Sequence, residues 1–144
     1  HESSLRDERF VTQKIISGAI QSKSDKTFKL KLGNINVERD WGCAEEYVEA
    51  IRTMTSSESI QDQVICTGQS TKLKDFIKIV FEKLDLNWRD HTIIDKSLYR
   101  KSEVLKSFGN PSQMYNELNW KAKVNLEDLI IKMIDDKLTN KELI

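Results

Sequence analysis

The chain has 144 residues, enough for one domain, and its 23 acidic and 23 basic side chains leave a formal net charge of zero. That balance argues against an electrostatic nucleic-acid binder, which needs a basic surplus, although locally basic patches remain open. No apolar run approaches the roughly 18 residues of a membrane span, and the charged start, HESSLRDERF, has no secretory pattern.

Phe10, Val11, Ile15, Ile16, Ala19 and Ile20 follow helical spacing and predict a helix over 8–22. Residues 26–34 alternate. Phe28, Leu30 and Leu32 face one way and Lys29 and Lys31 the other, which predicts a half-buried strand ending at Gly33-Asn34. Ala44, Tyr47, Val48 and Ile51 supply the apolar face of the next helix. The stretch QVICTG, 63–68, is short, β-branched and stopped by Gly68, and predicts a buried strand. A helix follows at once, with Ser70 or Thr71 as its cap and Leu73, Phe76, Ile77, Val80, Phe81 and Leu84 as its stripe. HTIID, 91–95, predicts another short strand. Asn110-Pro111 opens a helix, with Pro111 at the first helical position, where its missing N–H costs nothing. Asn125 caps the last long helix, whose apolar face is Leu126, Leu129, Ile130 and Met133; Glu127 and Asp128 suit its positive end. The sum is an α+β chain, more helix than sheet. Its strands are too few and too dispersed for a self-sufficient sheet.

Several chemistries find no support. The glycines, at 18, 33, 42, 68 and 109, fit neither dinucleotide spacing nor a P-loop. His1 and His91 have no cysteine or carboxylate at metal-ligand spacing. Nothing points to a Ser/His/Asp triad. Cys43 and Cys66 could form one disulfide; two reduced thiols in the cytoplasm are the expectation, because small secreted domains usually carry more bridges. No repeat, linker or low-complexity segment divides the chain. It also begins without methionine, and is expected to be a piece of something longer.

Arginine carries the remaining signal. Arg39 precedes Asp40-Trp41, and Arg100 lies three residues before Glu103. Guanidinium binds phosphate through charge-assisted, bidentate hydrogen bonds, and a carboxylate accepts from sugar hydroxyls. Such a set suits a nucleotide diphosphate-sugar. The competing reading is surface ion pairs, Arg39 with Asp40 or a helix carboxylate and Arg100 with Glu103.

The order of the pieces bears on that choice. HESSLRDERFVTQKI, LGNINVERDWGCAEEYVEA, VICTGQSTKLKDFI, YRKSEV and GNPSQMYNELNWKAKV, in this order and spacing, closely resemble the C-terminal part of the GDP-mannose 4,6-dehydratase branch of the extended short-chain dehydrogenase/reductase family. The resemblance implies the substrate-binding part of an α/β, Rossmann-type enzyme whose dinucleotide-binding half precedes His1. Residues 63–85 would then be a strand–helix unit that joins the Rossmann sheet. It implies NADP as cofactor, with contacts from His1 and Arg6, and GDP-mannose as substrate, with contacts from Val11, Lys14, Leu32, Gly33, Asn34, Arg39, Arg100 and Glu103. Asp40 is expected to orient nearby backbone or Arg39, and Trp41 to pack beneath that turn. The implied reaction oxidises the sugar at carbon 4, eliminates water across carbons 5 and 6 and returns the hydride to carbon 6. Its Tyr-x-x-x-Lys, Thr and Glu machinery belongs to the other half, so this chain alone is expected to be inactive. The implied parent is a homo-oligomer.

The chain departs from the family pattern in places. Pro-Arg-Arg-Gly is Ser4-Leu5-Arg6-Asp7, an acid beside Arg6 that should weaken an NADP contact. Gln13 stands where the family has arginine, Lys101-Ser102 where it has Pro-Thr, and Ala122 where it has proline. Two other readings stay open: a sister nucleotide-sugar dehydratase or epimerase, and a non-catalytic relic that binds a nucleotide-sugar or a protein partner.

Overall fold

The structure, a computed structural model, describes residues 1–58 and 61–142; residues 59–60 and 143–144, which the one-domain reading includes, lie outside that range. Along the chain run α1 (Val11–Ser24), β1 (Leu30–Leu32), β2 (Glu38–Arg39), α2 (Ala44–Thr55), β3 (Thr71–Lys72), α3 (Leu73–Lys83), α4 (Trp88–His91), β4 (Thr92–Ile94), a 3-10 turn (Lys96–Leu98), β5 (Lys106–Ser107), α5 (Ser112–Leu118) and α6 (Leu126–Glu142). The α+β expectation holds. The strands form two small sheets: β1 lies parallel to β4, and β2 sits between β3, antiparallel, and β5, parallel.

The core lies where α1, α3 and α6 meet β1. Ile15, Ile16 and Ala19 of α1 face Phe76, Ile77, Val80 and Phe81 of α3, and Leu129, Ile130, Met133 and Ile134 of α6 close over them. Each of these side chains except Ala19 contributes roughly 1.5–3 kcal/mol by leaving water. Leu30 and Leu32 point into this core while Lys31 points out, as the alternation predicts. Gly18 lets α1 approach β1 closely, since a Cβ there would sit 2.8 Å from the Leu30 side chain.

Helix α1 starts three residues later than predicted. Asp7 and Arg9 form a turn in which Asp7 Oδ1 accepts from the Arg9 backbone N–H at 2.8 Å and Phe10 N–H reaches Asp7 O at 3.1 Å, which leaves Phe10 outside the helix. Nor do Ser70 and Thr71 cap α3. Its first N–H groups are satisfied by backbone, Leu73 donating to Val37 O and Lys74 to Ile35 O, both at 2.9 Å. Ser70 instead donates to Glu38, and Thr71 pairs with β2. Pro111 falls one position before α5, and Asn110 Oδ1 accepts from Ser112 N–H. Asn125 caps α6 as predicted, accepting from Asp128 N–H at 2.9 Å.

Two apolar predictions are corrected. Tyr47 and Ala50 of α2 are buried, but Val48 and Ile51 are 65% and 52% exposed: α2 turns only part of its predicted stripe inward. The stretch 63–68 forms no strand among the described residues. Its Cys66 is buried while Val64 is exposed. A strand exists only with a ladder partner, and among the described residues no backbone lies hydrogen-bonded beside it.

Candidate functional site

Strand β2 is the scaffold of the site. Glu38 N–H donates to Leu105 O at 2.7 Å and Asp40 N–H to Ser107 O at 3.1 Å, while β3 pairs with the other edge. The two β2 side chains serve different ends. Glu38 accepts from Ser70 Oγ at 3.0 Å and pairs with Lys106 Nζ at 3.2 Å; these partners, the Lys106 ammonium foremost, hold its carboxyl below the ordinary glutamate range. Arg39 lines a cleft of about 480 Å³. Its Nη1 donates to Glu38 O at 2.7 Å, and among the described residues it forms no ion pair. Beneath it Trp41 is 8% exposed and tilts onto Phe76, with ring centroids 5.2 Å apart, so the turn packs on the core as expected.

The opposite wall comes from the end of β1. Leu32 O accepts from Asp95 N–H at 2.7 Å, and Asp95 Oδ1 accepts from Ser97 N–H at 2.9 Å and Ser97 Oγ at 2.6 Å, which fixes the 3-10 turn that follows. Gly33 lies against that turn; a Cβ would stand 2.9 Å from Leu98 O, so only glycine permits this approach. The turn leads into Arg100 and Glu103, which line the same cleft, and neither takes part in an ion pair among the described residues. The pairing of Arg100 with Glu103, one of the two readings of the sequence, is therefore absent among the described residues, as is that of Arg39 with Asp40.

The third wall is the segment 1–11. Glu2 is 6% exposed. Its backbone bridges to Gly42 and Ala44, at 2.8 and 2.9 Å, and its carboxylate accepts from Thr12 Oγ1 at 2.7 Å. The same carboxylate lies 3.3 Å from Arg6 Nε, Arg6 Nη1 donates to His1 O at 3.1 Å, and the guanidinium stacks 3.7 Å over the Phe10 ring. Asp7 is occupied with Arg9 at 3.0 Å, so the partner of Arg6 is Glu2 and not the adjacent acid. Gln13 is buried and ties the segment down by donating to Ser3 O at 2.9 Å.

Of the predicted site residues, His1, Arg6, Val11, Gly33, Asn34, Arg39, Arg100 and Glu103 line this one cleft. Leu32 and Lys14 do not. Leu32 is 2% exposed with its side chain in the core, because strand alternation turns it away from Gly33's neighbours, and Lys14 lies a turn further along α1. Sequence reasoning missed Glu2 and Phe10. The spacing of Arg6 to both, four residues each way, was the available signal. Of the two cysteines, both are free and buried; burial, with the Asp40 carboxylate, pushes the Cys66 thiol up. Burial likewise raises the Tyr47 phenol, which packs between His1 and Trp120 and against Gly42. Among the described residues no cluster of His, Cys, Asp or Glu could hold a metal. Nor do they build a dinucleotide cradle: no glycine-rich turn joins a strand to a helix. No helix is long and apolar enough to cross a membrane among the described residues.

The family model for GDP-mannose 4,6 dehydratase matches residues 1–133. GDP-mannose 4,6 dehydratase 1 of Arabidopsis thaliana is 42% identical over 138 residues, which cover 96% of this chain and 38% of the relative. The GDP-mannose 4,6 dehydratases of Dictyostelium discoideum and Homo sapiens are 33% and 30% identical, each over 93% of this chain and 42% and 41% of their own lengths. The chain thus spans about two fifths of the curated relatives it matches. Among solved structures, RMD of Pseudomonas aeruginosa, complexed with NADPH, aligns with a TM-score of 0.80 at 17% identity, covering 94% of this chain and 44% of that one. The dTDP-glucose 4,6-dehydratase of Bacillus anthracis, in complex with NAD, aligns with a TM-score of 0.82 at 15% identity, over 98% of this chain and 43% of that one. These likenesses show that the chain has the fold of a portion of those two proteins.

Proposed function

The chain belongs to the GDP-mannose 4,6 dehydratase family, and from that premise we propose that it is the nucleotide-sugar-binding portion of a GDP-mannose 4,6-dehydratase. One observation carries this reading: residues distant in sequence, 1–11, 33–41 and 98–103, converge on one cleft with two arginines that no carboxylate of the described residues neutralises. In this proposal Arg39 and Arg100 take the diphosphate through charge-assisted hydrogen bonds, and Glu103 accepts from a ribose hydroxyl. Gly33 and Asn34 flank the guanosine, and Val11 contacts the sugar nucleotide. Lys14 and Leu32, assigned to the substrate from sequence, would act from outside the cleft lining, Leu32 through its backbone.

NADP supplies hydride transfer in the parent. His1 and Arg6, which line the cleft, would be this chain's contribution to holding it, and in this proposal the rest of the cofactor site and the general acid and base belong to the remaining part of the parent. Residues 63–68 then become a strand when the neighbouring strands of the parent's parallel sheet are present, with 63–85 as the joining unit. We place the parent among cytoplasmic, homo-oligomeric lyases.

Calorimetric titration of the chain with GDP, GDP-mannose, mannose and NADP tests this. GDP and GDP-mannose should bind, mannose should not, and NADP should bind more weakly than either. Incubation with NADP and GDP-mannose should yield no 4-keto-6-deoxy product. Failure of both GDP and GDP-mannose to bind the folded chain overturns the assignment.

A further inference from the structure

Asp40 directs both carboxylate oxygens at one remote turn. Its Oδ1 accepts from Thr67 N–H at 3.1 Å and from Thr67 Oγ1 at 2.5 Å, and its Oδ2 accepts from Gly68 N–H at 2.9 Å. The turn is shaped to meet it. Gly68 has φ +77, in the left-handed region, and a Cβ there would stand 2.9 Å from Pro111. Thr67 Oγ1 also accepts from Gln69 N–H at 3.1 Å. Among the described residues, the backbone of 61–68 forms no hydrogen bond with any other stretch of backbone. The Asp40 carboxylate is therefore the polar tie that registers this segment against β2.

The tie has a second consequence. Asp40 and Arg39 are adjacent and line the same cleft, yet they form no ion pair. A carboxylate that already accepts three hydrogen bonds gains little by turning to a neighbouring guanidinium, and leaving Thr67 and Gly68 would strand a partly buried N–H. We propose that Asp40 is the positioning residue of the cleft: it holds β2 to the 67–68 turn and, because both its oxygens are engaged there, leaves the Arg39 guanidinium to an anionic ligand. This rests on the nucleotide-sugar reading of the cleft, and makes Asp40 an acid that favours binding of an anion.

The sign of the effect is diagnostic. A bystander carboxylate in an anion site weakens binding by repulsion, so its neutralisation tightens binding. A positioning carboxylate does the opposite. Asp40→Asn keeps the shape but turns an N–H group towards the Gly68 N–H, which breaks one of the three bonds of the tie and weakens the other two by removing the charge. Calorimetry with GDP should then show affinity on the order of tenfold weaker than the parent chain, the loss of about one hydrogen bond to a charged group. Thr67→Val removes the hydroxyl, the closest of the three donors to Asp40, and loosens its hold on the turn, so it should weaken GDP binding in the same direction. Thr67→Ser, which restores the hydroxyl, should recover most of that loss. The double variant Asp40→Asn/Thr67→Val should be no weaker than the worse single variant, because the two side chains act as one unit. Ile134→Ala, in the core of α6, should lower the melting temperature without lowering GDP affinity, which separates positioning from general loosening. Asp40→Asn that binds GDP as tightly as the parent, or more tightly, overturns the inference and leaves the nucleotide-sugar reading standing. A parent chain that does not bind GDP overturns both.

Discussion

Arg39→Ala is the sharpest test of the cleft. The substitution removes a guanidinium from a backbone held on both edges, by Leu105 O and Ser107 O on one side and β3 on the other, so the strand should survive it. One N–H group of Arg39 is committed to Glu38 O; the others face no carboxylate among the described residues. A phosphate can therefore accept up to two of them. Each charge-assisted bond is worth roughly 1.5–3 kcal/mol, but Arg39 is partly exposed and solvent screens it. The net loss should be close to one bond, or about 10- to 100-fold in affinity for GDP. GDP-mannose should lose as much, because the contact is to the diphosphate. The difference between parent and variant should shrink in high salt, as the screening length falls from about 10 Å at 0.1 M to about 3 Å at 1 M. Calorimetry at the two ionic strengths measures both quantities. Lys31→Ala is the control, since Lys31 lies on the exposed face of β1, whereas Lys29 is less suitable because it donates to Asp90 O. An Arg39→Ala chain that melts like the parent and binds GDP within about twofold of it would refute the cleft as a diphosphate site.

Three further outcomes follow from the geometry. Gly42→Ala places a Cβ 2.2 Å from the Tyr47 hydroxyl, and should destabilise the fold by about 1–3 kcal/mol in urea unfolding, as overpacking does. Asn125→Ala removes the α6 cap and should cost about 0.5–2 kcal/mol in the same assay, with GDP affinity unchanged. Glu38 has a folded pKa below its ordinary value of 4.5, so it stabilises the fold above that value and the stabilisation fades as pH falls through the lower, folded pKa; Glu38→Gln should therefore be less stable than the parent at neutral pH, and the difference should shrink as pH falls below about 4.5.

The sequence by itself determined the inward faces of α1, α3 and α6. The stripes of α1, α3 and α6 are periodic, and burying such a stripe is the dominant favourable term, so period and burial coincide at Ile15, Phe76, Ile77 and Ile130. It also determined the cap at Asn125, a local exchange between a side chain and a backbone three residues on. Resemblance in motif order identified the family and eight of the cleft's residues. Tertiary structure alone decided the rest, because it depends on partners distant in the chain. The α3 cap fell to carbonyls of residues 35 and 37, and not to Ser70 or Thr71, since those groups lie where the folded chain brings them. Val48 and Ile51 obey the helical period yet remain exposed, because period fixes which residues share a face but not what covers it. Residues 63–68 read as a strand but form none among the described residues, since strand pairing needs a second backbone whose presence no local pattern encodes. Arg6 and Arg39 were equally basic in sequence; only the fold set Glu2 against the one and turned Asp40 away from the other.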